Sequence, residues 1–228
     1  MAVLIPALNE EEALPLQLDR IPGSVDRVVV VDNGSTDGTA EAARTGGAEV
    51  VAEDERGYGA ACLRGMRHLS SQGETPDVLV FLDADGSDDP GKIPELVAPI
   101  AAGEADLVLG VRRGVEGGVG TILPHARVGN RVVLWLLALL FGRSFLDMPP
   151  FRAVRFPALQ ALEMDDRNWG WTLQMQIRAH RRGLAIVELQ MPHRRRVLGR
   201  SKISGSLGAS VRVGLKMLWT LVRERLLR

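Results

Sequence analysis

Short apolar runs, each cut off by polar or glycine-rich residues, recur through the first half of the chain at 2–5, 27–31, 49–52, 78–82 and 106–111. The second of them, like the first, is apolar on both faces, the pattern of a strand with helices covering both sides of its sheet. Between the runs lie segments with helical spacing: 10–21 through Leu14, Leu18 and Ile21, then 40–44, 57–70 and 89–102. Pro22-Gly23, Gly46-Gly47 and the stretch from Gly73 to Pro76 separate them. Strand, polar loop, helix and strand in repetition predict βαβ units, hence an α/β fold with a Rossmann-like, mainly parallel sheet flanked by helices. Pro6 is expected to end the first strand. Glu10, Glu11 and Glu12 suit the positive end of the first helix. Ser35, Thr36 or Asp37 is placed to cap the second helix, and Pro90 fits the first turn of the fourth.

The pattern changes beyond residue 113. Four glycines within 114–120 read as a mobile loop able to act as a lid. Helices are expected at 126–141, 158–164, 172–182 and 207–227, with a strand at 184–189, and no element is assigned across 145–156. The helix at 126–141 opens with Arg127, Asn130 and Arg131 and is then apolar all round through 132–141. Such a helix is buried under neighbours or touches an apolar acceptor or a membrane. In the last helix Val211, Leu215, Leu218, Leu221 and Val222 interleave with Arg212, Lys216, Arg223, Arg225 and Arg228. A basic amphipathic helix packs one face on the protein or lies on an anionic membrane.

Composition narrows the class. Hydrophobic residues make up 46% of 228, ample for a core. No apolar run approaches the ~18–20 residues of a membrane-spanning helix, and no basic leader precedes the first strand, so no secretory signal is expected. Lys plus Arg and Asp plus Glu both number 28, leaving no global field to recruit nucleic acid. The acids crowd the first half, whereas 193–228 is basic. Cys62 is the single cysteine, which excludes an internal disulfide and a cysteine-rich metal site and suits a reducing cytoplasm.

In parallel sheets ligands bind beyond the carboxyl ends of the strands. Asn9, Asp32 and Asp83 each fall just past such an end. Asp83 and Asp85 are two residues apart, so in extended chain their carboxylates share one side. Two carboxylates held together call for a cation between them, and Mg²⁺ or Mn²⁺ shared with substrate phosphates is the natural occupant. Gly57-Tyr58-Gly59 opens the third helix but follows the third strand and lacks a third glycine, so it does not fit a dinucleotide fingerprint. It reads as a place where a ligand or another backbone comes close.

Five segments stand in register: Pro6-Ala7-Leu8-Asn9-Glu10-Glu11, Val31 to Thr39, Asp83-Ala84-Asp85-Gly86, Pro150-Phe151-Arg152 and Gly199-Arg200-Ser201-Lys202. Together they resemble the family-2 glycosyltransferases of GT-A fold, and within them the branch of dolichol-phosphate mannose synthase and bacterial polyprenyl-phosphate sugar transferases. The resemblance implies a single GT-A domain over 1–228, with a nucleotide-sugar half at 1–113 and an acceptor half at 114–228. It implies inverting transfer of a sugar from a UDP- or GDP-sugar. Pro6, Ala7, Asn9 and Glu10 would line the base and ribose pocket with Asp32, joined by Asn33, Gly59 and Ala84. Asp83 and Asp85 would form the metal pair, Asp83 towards the nucleoside and Asp85 holding Mg²⁺ or Mn²⁺ on the diphosphate. Arg200 and Lys202 would act with Asp85 on the donor diphosphate, and Arg112, Arg127, Arg131 and Gln174 would face the acceptor.

Relatives in this family often carry an acid where this chain has Gln174 and Gln176. Transfer to a hydroxyl needs a general base, and glutamine cannot accept a proton. A phosphate acceptor is already anionic and needs none. The reading is therefore a polyprenyl-phosphate acceptor, or a base from Asp147, Asp165 or Asp166, or weakened activity. The expected site of action is the cytoplasm, peripherally on the inner membrane face through 132–141 and 207–228. A soluble acceptor, a nucleotidyltransferase and a non-catalytic nucleotide-sugar binder are the rival readings. Oligomeric state is left open.

Overall fold

The computed structural model describes residues 1–114, 124–194 and 207–227, with side chains placed for all but 113–114, 124–127 and 207–211. The strands are β1 Ala2–Ala7, β2 Arg27–Asp32, β3 Glu49–Ala52, β4 Val78–Phe81, β5 Leu107–Gly114, β6 Arg152–Arg155 and β7 Ile186–His193. The helices are α1 Leu14–Leu18, α2 Thr39–Thr45, α3 Tyr58–Ser71, α4 Ile93–Ala101, α5 Pro124–Phe141, α6 Phe156–Ala161, α7 Trp171–Arg181 and α8 Leu207–Leu226. A 3-10 turn at Pro90–Lys92 leads into α4, with the Asp89 carboxylate accepting from the Gly91 N–H.

The sheet runs β3-β2-β1-β4-β6-β5-β7 and is parallel except at β6, which pairs antiparallel with both β4 and β5. Strands from both halves of the chain therefore share one sheet. β6 lies in the stretch for which the pattern assigns no element. Four residues with arginine at each end, just after Pro149-Pro150, look like loop. Only the ladders on both sides make them a strand.

Alternate strand residues feed two cores. Ala2 and Leu4 join the layer under α3, α5, α6, α7 and α8, while Val3, Ile5 and Ala7 join the layer under α1, α2 and α4. Both sheet faces are thus covered, as the runs apolar on both faces predict.

Three expectations need correction. The first strand continues through Pro6 to Ala7. Leu4 turns its carbonyl towards the β4 side, where it accepts from Leu82, so Pro6 faces that side too, beyond the last β1–β4 pair. No ladder donor is missing there, which is where a strand tolerates proline. The first helix is only Leu14–Leu18, with Pro15 in its first turn. Glu10 and Glu11 lie outside it and bind the opening of α2 instead: Glu10 N–H donates to Thr39 Oγ1 at 2.8 Å and Glu11 Oε2 accepts from Gly38 N–H at 2.7 Å. The strand expected at 184–189 is displaced to Ile186–His193. Its eight pairs with β5 carry the chain on to His193.

Candidate active site

The carboxyl ends of β1, β2, β4, β5 and β7 open on one edge of the sheet, and the loops there are tied to one another. Asn9 has a positive φ of 50°, a conformation asparagine tolerates better than most residues. Its N–H donates to Ser35 Oγ at 2.9 Å, and its side-chain oxygen accepts from Thr36 N–H at 2.7 Å. Asp32, half-buried, accepts from Ser35 N–H at 3.0 Å. Asn9 and Asp32 thus shape one loop at the end of β1 and β2. Ala7 and Ala84 are buried beneath it and Pro6 is half-buried.

Past β4 the chain turns sharply, with Gly86 at φ 77°. Asp83 and Asp85 are both half-buried, and Asp85 Oδ1 accepts from Ser87 N–H at 2.9 Å. Buried Gln17 of α1 spans this turn from below, its amide donating to the Asp83 and Asp88 carbonyls at 3.1 and 3.3 Å. Burial first, and then the charge of Asp83, push the Tyr58 hydroxyl and Cys62 thiol well above their ordinary values. Cys62 is a fully buried, neutral core group.

Asp88, which the sequence pattern does not single out, is 3% exposed. Its Oδ1 lies 3.1 Å from His193 Nδ1, and Oδ2 makes no hydrogen bond among the described residues. Burial raises this carboxyl; His193 draws it back, and the charge of Asp85 adds to the rise. Arg194 N–H also donates to the Ser87 carbonyl at 2.8 Å. The chain that carries Arg200 and Lys202 thus leaves β7 beside the Asp83–Asp88 turn, although those two residues lie outside the described ones.

A carboxylate-rich turn with an orphaned buried oxygen fits a hard divalent cation. Among the described residues no three His, Cys, Asp or Glu side chains form a ready metal cage. The remaining ligands would then be donor phosphates and water, the usual way such ions are held.

On the other flank Arg112 forks onto Asp147, Nε to Oδ2 and Nη2 to Oδ1 both at 2.7 Å. Asn130 and the Met148 N–H also donate to Asp147 Oδ1. Burial would raise the Asp147 carboxyl, but the bonds and charge of Arg112 win and hold it below the ordinary range. The charges of Asp88 and Asp83 also act on Arg112. Arg131 is exposed on α5, and the Arg127 side chain lies outside the described ones.

Three expected site residues serve the fold instead. Asn33 is 6% exposed; its side-chain amide donates to the Glu53 and Glu55 carbonyls and accepts from Gly57 N–H, so it ties the loop after β3 to the end of β2. Gly59 is covered by the chain itself: a Cβ there would lie 2.0 Å from the Asp166 carbonyl oxygen. Gln174 is fully buried, its oxygen accepting from the Asp165 and Asp166 N–H groups and its nitrogen donating to Asp165 and Glu224, so no amide atom is left for an acceptor. Partners remote in the chain, Glu53 at 20 residues from Asn33 and Glu224 at 50 from Gln174, carry no signal in the local sequence. Buried Arg152 is likewise structural, donating to the Pro149 and Thr172 carbonyls, and burial pulls it down to about 10.

The fold and this edge define a GT-A glycosyltransferase, with an acidic turn beyond β4 facing arginine across the sheet edge. The chain belongs to glycosyl transferase family 2, whose model matches residues 2–162. An uncharacterized glycosyltransferase of Mycobacterium tuberculosis is 40% identical over 223 residues, covering 97% of each chain. The undecaprenyl-phosphate mannosyltransferase of Micrococcus luteus is 36% identical, over 98% of this chain and 97% of its own. The polyprenol monophosphomannose synthase of Mycolicibacterium smegmatis is 33% identical, over 90% and 81%. These relatives support the polyprenyl-phosphate sugar transferase branch. Glucosyl-3-phosphoglycerate synthase from M. tuberculosis, solved with Mn²⁺, UDP-glucose and phosphoglyceric acid, superposes with a TM-score of 0.78 at 25% identity, over 98% of this chain and 79% of that one.

Proposed function

We propose that this hexosyltransferase inverts configuration, depends on Mg²⁺ or Mn²⁺, and moves a hexose from a UDP- or GDP-sugar to a polyprenyl phosphate at the cytoplasmic face of a membrane. Residues 1–113 would supply the donor half of one domain and 114–228 the acceptor half. The acceptor phosphate oxygen attacks the anomeric carbon opposite the leaving group, a new glycosyl–phosphate bond forms, and the nucleoside diphosphate departs. A divalent cation at Asp85 would neutralise charge building on that diphosphate. Asp83 faces the nucleoside, with Asp32, Asn9 and Glu10 shaping its pocket. Arg200 and Lys202 close on the diphosphate, and Arg112, Arg127 and Arg131 meet the acceptor phosphate.

One observation carries the acceptor reading. Each carboxylate offered as a general base is engaged by a cation: Asp147 by Arg112, Asp165 by Arg178 and Arg223, and Asp166 by Lys216 at 2.7 Å. A carboxylate already paired with a cation is a poor base, which suits an acceptor that brings its own negative oxygen. The names of the mannosyltransferase relatives support the same reading.

The test is a transfer assay pairing UDP- and GDP-hexoses with undecaprenyl phosphate in detergent. Mn²⁺- or Mg²⁺-dependent formation of a sugar-labelled lipid phosphate is expected. Transfer to water-soluble acceptors alone would reject the lipid acceptor. That second reading is favoured by the structural neighbour that holds phosphoglyceric acid with UDP-glucose. Donor binding with no turnover on any acceptor would make the protein a nucleotide-sugar binder.

A further inference from the structure

Helix α8 sends Leu221 into the core but turns its polar residues Thr220 and Glu224 inward beside it. Glu224 and Thr220 are each 1% exposed, while Trp219 is 59% and Leu226 75% exposed. A helix free to rotate about its axis would bury the tryptophan and leucines and leave the glutamate in water. A dense set of bonds prevents this. Arg178 of α7 forks onto Glu224, with Nη2 to Oε1 at 2.8 Å and Nε to Oε2 at 3.0 Å. The Gln174 amide donates to Glu224 Oε1 at 2.8 Å, Arg181 to the Glu224 carbonyl at 2.9 Å, and Lys216 pairs with Asp166. Burying a charge so completely costs free energy even when it is paired. The return is a fixed orientation with the apolar side outward.

The outward side is ordered. On α8 Leu215, Trp219, Val222 and Leu226 are exposed, joined by Leu218; on α5 Val128, Trp135, Val132 and Leu139 are exposed. Both sets follow the spacing i, i+4, i+7, i+11, a single stripe roughly 16 Å long on each helix. Helices α5 and α8 pack against each other, so the stripes lie on neighbours. Ordered apolar stripes left exposed on two adjacent helices mark an interaction site.

Charge selects the occupant. Arg131, four residues before Trp135, is exposed, as are Arg212, three before Leu215, and Arg225, three after Val222. Helix α5 contains no acid, and the one acid of α8 is the buried Glu224. The surface presented is tryptophan, aliphatic side chains and arginine, with no negative charge to offset it. Two copies meeting through it would bring like-charged rims together. An anionic lipid surface complements it: apolar stripes enter the acyl boundary, tryptophans sit at headgroup level and arginines meet lipid phosphates. No described helix is long and apolar enough to cross a membrane, so the contact lies in the plane of the interface.

We infer that α5 and α8 form a docking face for anionic bilayers, held apolar-side-out by the Glu224–Arg178 network. The inference deepens the lipid-acceptor reading by naming the surface that would bring the enzyme to its acceptor, and it can fail independently.

The test is flotation of the full chain with phosphatidylcholine vesicles, with and without phosphatidylglycerol, for the native protein and for Trp135→Ser/Trp219→Ser. The native protein should float with phosphatidylglycerol vesicles and lose this in high salt. The double variant should bind about tenfold or more weaker, with unchanged thermal unfolding and unchanged transfer to detergent-dispersed acceptor. Bromine-labelled lipid should quench tryptophan emission in the native protein only. No flotation, equal flotation of the variant, or a dimer that the double substitution dissociates would each overturn the inference. Transfer in detergent reports separately on the acceptor reading.

Discussion

The acidic turn and its arginine flank are held by single residues that carry out no chemistry themselves. Asp147 keeps Arg112 in place with both oxygens. Removing one partner of a buried pair strands the other, at a cost of about 3–5 kcal/mol. Asp147→Ala should therefore lower unfolding free energy by about that amount in urea titrations, whereas a change below ~1 kcal/mol would mean the pair is effectively solvated. Acid tells a related story at the sheet edge. Glu49, hydrogen-bonded first by Arg27 and then by His68, falls from 4.5 to about 2. A carboxylate depressed in the folded state contributes stability above its unfolded value and loses it as pH falls through the folded one. Stability should decline from about pH 4.5 towards 2, with Asp147 adding to the loss below the ordinary carboxylate range. Arg27→Ala should flatten this decline, only modestly because Glu49 is 40% exposed. An identical acid slope in the variant would assign the decline elsewhere. At this scale the sequence is legible where a residue stands at a strand end, as Asp83 and Asp32 do. It is silent where the partner is remote: nothing near Gln174 announces Glu224, 50 residues away, and nothing near Asp88 announces His193.

Among the elements, the existence of the βαβ helices and apolar strands is readable from local pattern, while the bounds of the first helix and of the first and last strands are not. Two elements depend on tertiary context instead. β6 is a strand because β4 and β5 pair with it, and α8 has the expected amphipathic pattern, but which of the two expected ways it faces is set by the fold. Apolar periodicity locates a stripe on a helix; it does not say whether protein or solvent lies on that side. The buried salt-bridge network decides this for α8. Glu224→Ala should free the helix, lowering stability by about 3 kcal/mol or more and opening 207–227 to proteolysis in native buffer. Protection equal to the native chain would show that apolar packing through Leu221 suffices alone. The glycine pair opening α3 makes a similar point. Its spacing signals a close approach, and the structure assigns that approach to the carbonyls of Asp166 and Arg167. Gly59→Ala should be strongly destabilising, since its Cβ would meet backbone rather than a yielding side chain; wild-type stability in thermal unfolding would contradict the packing of that loop on α3.

Across the whole molecule, one sheet edge gathers Asp32, Asp83, Asp85 and Asp88, and the second half of the chain returns to it through His193 and Arg194. The βαβ repetition makes the sheet, its edge and the acidic turn legible in the sequence. The strand that carries His193 and Arg194 to this turn follows from the eight-residue β5–β7 ladder, which no local pattern reveals. All of this bears on one claim, that Asp85 holds the divalent ion on which donor turnover depends. Asp85→Ala, assayed with the native protein for Mn²⁺-stimulated release of nucleoside diphosphate from the preferred donor, tests it directly. The account predicts a loss of at least about a hundredfold with unchanged thermal unfolding in the absence of donor. Turnover and Mn²⁺ dependence equal to the native enzyme would contradict it.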